Sequence, residues 1–499
     1  MTDTRQQCTG GTMAPTMTTP THPMTARRRL TWLAVPMLAL AGCASAPPAP
    51  GPVLSVETPT AWTALDGAVP VPPDGPSAWD VARWWEGLGD AALTAWVQAA
   101  LQTNTDVRAA QAALAQARAV REAAQAATWP SVDASVGARQ ARTQAGGAHA
   151  VSAGLDAQWE LDLWGRRNAA VQASEADERA TAASLAWTRV SLAAEVAAAY
   201  WDLWSAQQRL QTAQQSLAAQ TDSVQLTQWR VQAGLSAQQD LDSARANLEQ
   251  TRASVAALHA SARQALHALN LLAGRPAGAA PLAQPAERAP EPPPAWTLPV
   301  PADTLRQRPD VAAAWARWQA AAARVAQADA ARLPTLTLTG SLSWQAPRVS
   351  ELLDPAALTR ALVASVAAPL FDAGQRQAQV RQQQAALEQA RAALEGALLA
   401  ALRDVENALV AIASDRARVQ HLLAAEEAAA AALQQATLRH RAGLTDLRTL
   451  LDAQRSWLAV RSERIAAQAQ WATDHARLFK ALGGGWQPAD TDPVPERSR

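Results

Sequence analysis

Cysteine is nearly absent: Cys8 and Cys43 are the only two in 499 residues, too few for a disulfide framework. Lysine is scarcer still, represented by Lys480 alone, and the aromatic set is almost entirely tryptophan, 20 residues against two phenylalanines and one tyrosine. Nucleotide-composition bias in the host accounts for both skews without a functional reading. Neither sign of charge predominates, because 44 Lys+Arg balance 44 Asp+Glu. The chain therefore has no net field to draw in nucleic acid. No window holds 18 uninterrupted apolar residues, which excludes a polytopic helical membrane protein. Hydrophobic residues are plentiful, 49% against 18% charged, enough to bury a large surface and to exclude wholesale disorder. The seven histidines show no paired metal spacing, and there is neither a nucleophile elbow nor a phosphate-cradling glycine loop. Nothing in the chain reads as an enzyme, a metal site or a cofactor fold.

The N-terminus carries an export address. Arg27, Arg28 and Arg29 precede the apolar run Leu30 to Leu40, the charged and hydrophobic regions of a secretory signal that is too short to span as a stable helix. The run ends in Leu40-Ala41-Gly42-Cys43, which resembles a bacterial lipobox, in which the cysteine is acylated and becomes the first mature residue. A covalent lipid on Cys43 would anchor the chain to a leaflet, at about 0.8 kcal/mol per buried methylene. By resemblance to bacterial sorting rules, Ala44 in place of an aspartate favours the outer membrane. Residues 1–42 are thus a signal peptide, and Met24 offers a later start that would leave 1–23, with Cys8, untranslated. Residues 43–77, rich in Pro, Ala and Gly, read as an extended tether.

The rest is one plan written twice. Asp106/Asp310, Val107/Val311 and Pro130/Pro334 pair at an offset of 204, and Gly165/Gly374, Arg167/Arg376, Arg230/Arg439, Gly234/Gly443 and Gly274/Gly483 pair at 209. The five-residue change falls between Pro334 and Leu370 and implies a longer loop there. The first repeat spans 78–274 and the second 302–485, joined by a Pro-rich linker at 275–301 and followed by a tail, 486–499. In each repeat, helices lead to a proline that breaks the helical period. Alternating segments follow, predicted as strands at about 131–140, 152–164, 335–344 and 361–371, with loops Ala138 to Val151 and Gln345 to Arg360 between them. About ten residues per strand suffices to cross a bilayer when tilted. Strand pattern alone fits a soluble four-stranded sheet equally well.

The helices decide. Arg166 to Ala233 contains neither glycine nor proline, and Gln375 to Ala442 contains only Gly396. At 1.5 Å per residue each predicts a helix about 100 Å long, for which a compact enzyme has no use. Both end in matched turns, Ala233-Gly234-Leu235-Ser236 and Ala442-Gly443-Leu444-Thr445. There glycine supplies the left-handed position and Ser236 or Thr445 is placed to cap the returning helix. The hairpins thus span 166–274 and 375–482. The returning helices repeat every seven residues, Leu241, Leu248, Val255, Ala262 and Leu269 in one, Leu444, Leu451, Leu458, Ile465, Ala472 and Phe479 in the other. A sustained period of 3.5 imposes a left-handed supercoil. Four strands cannot close a transmembrane barrel, whose smallest examples have about eight, so the chain must oligomerise to span. Three copies would give twelve strands.

These features together resemble the TolC-type outer-membrane efflux duct family, in its lipoprotein branch, from Trp84-Trp85 to Trp486. The most specific matches are Arg308-Pro309-Asp310-Val311, Pro369-Leu370-Phe371-Asp372-Ala373-Gly374, and Arg441-Ala442-Gly443-Leu444 followed by Leu450-Leu451-Asp452-Ala453-Gln454-Arg455. Thr105, where the family has proline, and Ala314-Trp315, where Ala-Glu is frequent, depart from it. The resemblance implies a mainly α fold with a small β part. It would be a homotrimer whose helical hairpins form an α-barrel tunnel continuous with a twelve-stranded outer-membrane β-barrel, four strands per chain. It implies docking of the tips Ala233 to Ser236 and Ala442 to Thr445 onto a periplasmic adaptor, with an inner-membrane efflux pump beyond, and export of small toxic compounds or drugs. It also implies a periplasmic gate: Asp452 matches the aperture carboxylate and Arg455 the nearby arginine, while Thr449 stands where some members have a second acid. Three Asp452 carboxylates about 6 Å apart would repel by roughly 3 kcal/mol per pair at an effective dielectric of 20. Closure therefore needs partners, and Arg448 and Arg455, at i−4 and i+3, are placed to supply them. The competing reading is a periplasmic coiled-coil adaptor or scaffold lipoprotein without a pore.

Overall fold

The structure, a computed structural model, describes residues 59, 62–63, 83–143, 146–286, 288–289, 308–484 and 486. The signal segment, Cys43, most of the tether, the later part of the linker and the tail beyond 486 lie outside them. The first repeat contains α1 (Trp84–Gly87), α2 (Ala91–Thr103), α3 (Thr105–Ala126), β1 (Ser131–Thr143), β2 (Gly146–Leu161), α4 (Arg166–Gln232) and α5 (Gln238–Leu272). The second contains α6 (Pro309–Ala330), β3 (Thr335–Ala346), two short 3-10 turns, β4 (Leu358–Ala367), α7 (Gln375–Arg441) and α8 (Leu447–Ala481). The repeat is metrical: α3 and α6 are each 22 residues long, α4 and α7 each 67, α5 and α8 each 35.

Local chemistry sets the helix ends. Asn104 separates α2 from α3, accepting from the amides of Asp106 and Val107 at 2.7 and 3.3 Å while its own amide donates to the Leu272 carbonyl at 2.9 Å. It caps one helix and ties it to the end of another. At the second hairpin tip and its counterpart in the first, the last turn closes as a Schellman motif. Leu235 N donates to Arg230 O and Leu444 N to Arg439 O, both at 2.8 Å, around Gly234 (φ 71°) and Gly443 (φ 72°). The expected caps are displaced by one residue. Ala237, without a side-chain bond, precedes α5, and Asp446 caps α8 through the Thr449 amide. A carboxylate is the stronger acceptor, so Asp446 takes the place expected of Thr445. Leu444, counted in the seven-residue period, lies in the turn and is 77% exposed.

The four strands form one antiparallel sheet in the order β1-β2-β3-β4. Its strands run longer than the alternation predicts at the hairpin ends: the β1–β2 ladder continues through Thr143↔Gly146, across most of the stretch expected as a loop. Backbone pairing needs no apolar face, so the ladder outlasts the hydrophobic pattern. In the other direction β2 stops at Leu161 and β4 at Ala367 rather than Leu370 or Phe371, since Pro369 has no amide to continue pairing.

The main core lies where the long helices meet α1 to α3. Trp84, Leu93, Trp96 and Val97 pack on Val196, Tyr200 and Trp204 of α4, Leu269 of α5 and Phe479 of α8. Trp84 stacks on Phe479 with centroids 4.9 Å apart and planes 12° from parallel. Tryptophan thus supplies the bulk that aliphatic residues supply elsewhere. Within the expected tether, Trp62 is 5% exposed and packs on Val405, Leu409 and Leu478, while Thr63 N donates to Glu406 at 2.8 Å. The tether is therefore docked at this point.

Candidate functional site: the sheet faces and the paired helical tips

Strand register sorts the side chains of the sheet into two unlike faces. Val132↔Ala157↔Gly340↔Leu362 and Ala134↔Leu155↔Leu342↔Arg360 lie in transverse rows on one side. That face continues with Val136, Trp159, Leu338 and Val366, several of them well exposed. The opposite face carries Ser131, Asp133, Ser135, Gln158, Asp156, Thr337, Thr339 and Ser341. One face is suited to hydrocarbon and the other to water, the division required of a membrane barrel wall. Tryptophans gather where strands meet helices: Trp159 Nε1 donates to Thr128 O at 3.0 Å and Trp164 Nε1 to Pro334 O at 2.6 Å. Trp129 beside them is 75% exposed. At the same level Arg167 and Arg376, repeat mates, each donate to the last carbonyls of the preceding short helix, Ala127 and Ala331, favourable for a helix C-terminus.

At the far end of the long helices the two tips lie together. Ala244 of α5, Ala436 of α7 and Leu447, Leu450 and Leu451 of α8 form one apolar cluster. Leu235 and Leu444, in the two tip turns, are each 77% exposed. Arg230 Nη1 meets His440 Nε2 at 3.4 Å, and His440 Nδ1 meets Thr445 O at 3.3 Å, joining the end of α4 to the second tip.

Asp452 lies in the second turn of α8, 58% exposed, with Arg455 Nη1 3.4 Å from Oδ1 and Arg448 Nε 3.9 Å from Oδ2. Both arginines thus flank the carboxylate, on the open surface where an ion pair contributes little by itself. Thr449 is committed elsewhere, since its hydroxyl and amide both bond Asp446, and those bonds hold the Asp446 carboxyl below its usual range.

Sequence reasoning missed the polar ties that cross between hairpins. Arg455 Nε donates to Asn247 Oδ1 of α5 at 2.8 Å, and Arg461 Nε to Thr212 Oγ1 of α4 at 3.2 Å. Arg461 and Arg464 also share Glu426 of α7. Higher up, α7 and α8 bring Asp415 and Asp474 together. Burial pushes the Asp415 carboxyl up to about 6, with its hydrogen bond to Asp474 and that neighbour's charge adding to the rise and Arg418 and Arg477 opposing it. Asp202 of α4 is raised by burial too, again opposed by Arg477. Arg308 was visible only as part of a motif. It is 1% exposed, ion-paired to Asp310 and Asp404, bonded to the Ala481 carbonyl and stacked over Trp187.

A membrane-type sheet wall continuous with very long paired helices defines a class, that of ducts which cross the outer membrane and extend below it. The model of the family described as outer membrane efflux protein matches residues 96–275 and 300–484, and the chain belongs to that family. It is 30% identical over 428 residues to outer membrane protein OprJ of Pseudomonas aeruginosa, covering 82% of this chain and 88% of that one. It is 28% identical over 452 residues to the pyoverdine export outer membrane protein OpmQ of the same species, covering 84% and 94%. Among solved structures, the outer-membrane channel OprN superposes with a TM-score of 0.77 at 33% identity, over 88% of this chain and 99% of that one. The open state of the Neisseria gonorrhoeae MtrE outer membrane channel gives 0.76 at 25%, over 89% and 99%. The protein is an outer-membrane channel, the exit duct of an efflux system. The coiled-coil adaptor reading falls, because an adaptor has no use for the four-stranded sheet.

Proposed function

We propose that three copies of this chain close one twelve-stranded barrel and one helical tunnel, and that small toxic compounds or drugs leave the cell through it. The observation that carries this reading is the register of the sheet. It places an apolar and a polar face on four strands whose outer members, β1 and β4, are edges, and an edge in hydrocarbon leaves backbone groups unsatisfied. Trimerisation pairs β1 of one copy with β4 of the next and removes every edge. Cys43 bears the covalent lipid that holds the N-terminus to the outer membrane. The tips, with Leu235 and Leu444 outermost, dock on a periplasmic adaptor that connects to an inner-membrane pump. Asp452, flanked by Arg448 and Arg455, rings the periplasmic mouth, and adaptor binding separates these contacts to open it.

Native mass spectrometry of the protein extracted in mild detergent tests subunit number and the modified N-terminus together. A trimer beginning at an acylated Cys43 is expected. A monomer or dimer would remove the closed barrel.

A further inference from the structure

The two repeats share their strand pairing as well as their helix lengths. Moving every partner of the β1–β2 ladder by the repeat offsets, 204 for β1 and 209 for β2, lands on the β3–β4 ladder. Ser131↔Gln158 becomes Thr335↔Ala367, Ala134↔Leu155 becomes Leu338↔Ala364, and Ala138↔Val151 becomes Leu342↔Arg360, all of them observed pairs. The extra residues of the second repeat therefore fall wholly between β3 and β4, where the two 3-10 turns lie. The strands of the two repeats are equivalent position by position.

One seam has no counterpart inside the chain. β2 pairs with β3, and the equivalent neighbours are β4 and the β1 of another copy, both of them edges. Applied to the β2–β3 ladder, the same offsets turn Ala157↔Gly340 into Val366 opposite Val136, and Leu155↔Leu342 into Ala364 opposite Ala138. We infer that the seam between subunits copies the β2–β3 seam in this register, so that the barrel repeats six times rather than three. The inference rests on the reading of the chain as a trimer and adds which residues meet. This register sets apolar positions against apolar ones, whereas a slip by one residue would turn the polar face of one copy toward hydrocarbon. Leu161 and Leu336, opposed inside the chain, are partly buried. Their equivalents at the edges, Leu370 and Val132, are 95% and 66% exposed, a difference that a neighbour in the copied position removes. Inside the chain Trp164 also ties the seam by donating to the Pro334 carbonyl. The equivalents between subunits are Ala373 and Pro130, and alanine has no such donor. Phe371 and Trp129 are instead 90% and 75% exposed there, and the copied register brings Leu370 and Phe371 to the start of the next copy's β1, beside Trp129. At the loop end of the sheet Arg360 would face Arg142 of the next copy. Both are exposed, and their long stems let the two guanidiniums diverge toward the headgroups.

Oxidative cross-linking of the full-length protein in outer membranes tests the register with four substitutions, Val136→Cys, Ala138→Cys, Ala364→Cys and Val366→Cys, combined two at a time. Residues directly opposite in an antiparallel ladder have Cα atoms about 4.5 to 5.5 Å apart, within reach of a disulfide, whereas diagonal ones are about 7 to 8 Å apart and beyond it. Val136→Cys/Val366→Cys and Ala138→Cys/Ala364→Cys should therefore run as covalent dimers and trimers on non-reducing gels. The crossed combinations, Val136→Cys/Ala364→Cys and Ala138→Cys/Val366→Cys, should stay largely monomeric after denaturation. Each substitution occurs in both sets, so a fault in folding or exposure would lower both alike. The native cysteines are Cys8 and Cys43 alone, and single-cysteine variants report any link through them. Preferential linking in either crossed combination means a register slipped by two and overturns the copied seam. No linking in any of the four, from protein that native mass spectrometry shows to be trimeric, also overturns it and leaves the trimer standing. Absence of trimers removes the closed barrel and the seam together.

Discussion

Arg308, the residue before α6, reaches the carboxylate of Asp404 in α7 at 3.4 Å while paired with Asp310 at 2.7 Å. It also donates to the carbonyl of Ala481 at the end of α8 at 3.0 Å. One buried cation therefore holds the start of the second repeat, its long helix and its last turn together. The dipeptide Arg308-Pro309 makes this possible, because proline opens α6 and turns the preceding side chain back into the junction.

Arg308→Ala should destabilise the helical body by about 1 to 3 kcal/mol, since it strips the Ala481 carbonyl and two partly exposed carboxylates, Asp310 and Asp404, of their shared donor. Heat-resistant trimers on gels and the midpoint of urea unfolding both report it. A midpoint within error of wild type would show that Asp310 and Asp404 find other partners.

Asp452→Ala should enlarge basal conductance and sensitise cells to antibiotics too bulky for other pores. The carboxylate sits between two arginines, and its removal leaves two cations on each copy with nothing between them. Unchanged conductance would mean that this ion pair is only a solvated helix contact.

Gly443 holds φ 72° with no neighbour in the space a Cβ would take, so only conformation restricts it. Gly443→Val should strain the second tip by about 1 to 2 kcal/mol and displace Leu444. The expected result is normal trimer yield with abolished export. Full export from such a variant would show that the second tip does not dock.

The pH dependence follows from Asp415, raised from 3.8 to about 6 chiefly by burial and then by Asp474. The native state therefore holds this proton more tightly than the unfolded chain does, and stability contributed by the pair falls as pH climbs through that window. Thermal melts between about pH 4 and pH 7 should decline in this range for wild type, and Asp415→Asn should flatten the decline and melt higher at neutral pH. Parallel profiles for the two proteins would exclude the pair as the cause.

The long helices were legible because glycine and proline are the residues that interrupt a helix, and their absence from Arg166 to Ala233 bounds α4 to within a residue of its observed end. Strand ends were less legible. Alternation reports the side chains that meet lipid, whereas the ladder at Thr143↔Gly146 is a backbone property. Asp452 and Arg455 were singled out by resemblance to the family, and the pairing of Asp452 with Arg448 and Arg455 was legible because i−4 and i+3 are spacings that any helix brings together. Asn247 was not, since its partner is 208 positions away and a seven-residue count of leucines passes over a polar residue beside Leu248.

The equality of the two repeats in length, 67 with 67 and 35 with 35, limits how this protein can change over evolutionary time. Each residue lost from one arm rotates its tip by about 100° and shortens it by 1.5 Å. A single deletion would therefore turn Leu235 away from its level with Leu444 and carry Asn247 out of reach of Arg455. A change of length that keeps both tips in register would have to be a matched multiple of the heptad in all four arms at once. The depth this duct reaches is consequently a constrained dimension, and lineages should differ in the residues that line it far more readily than in its height.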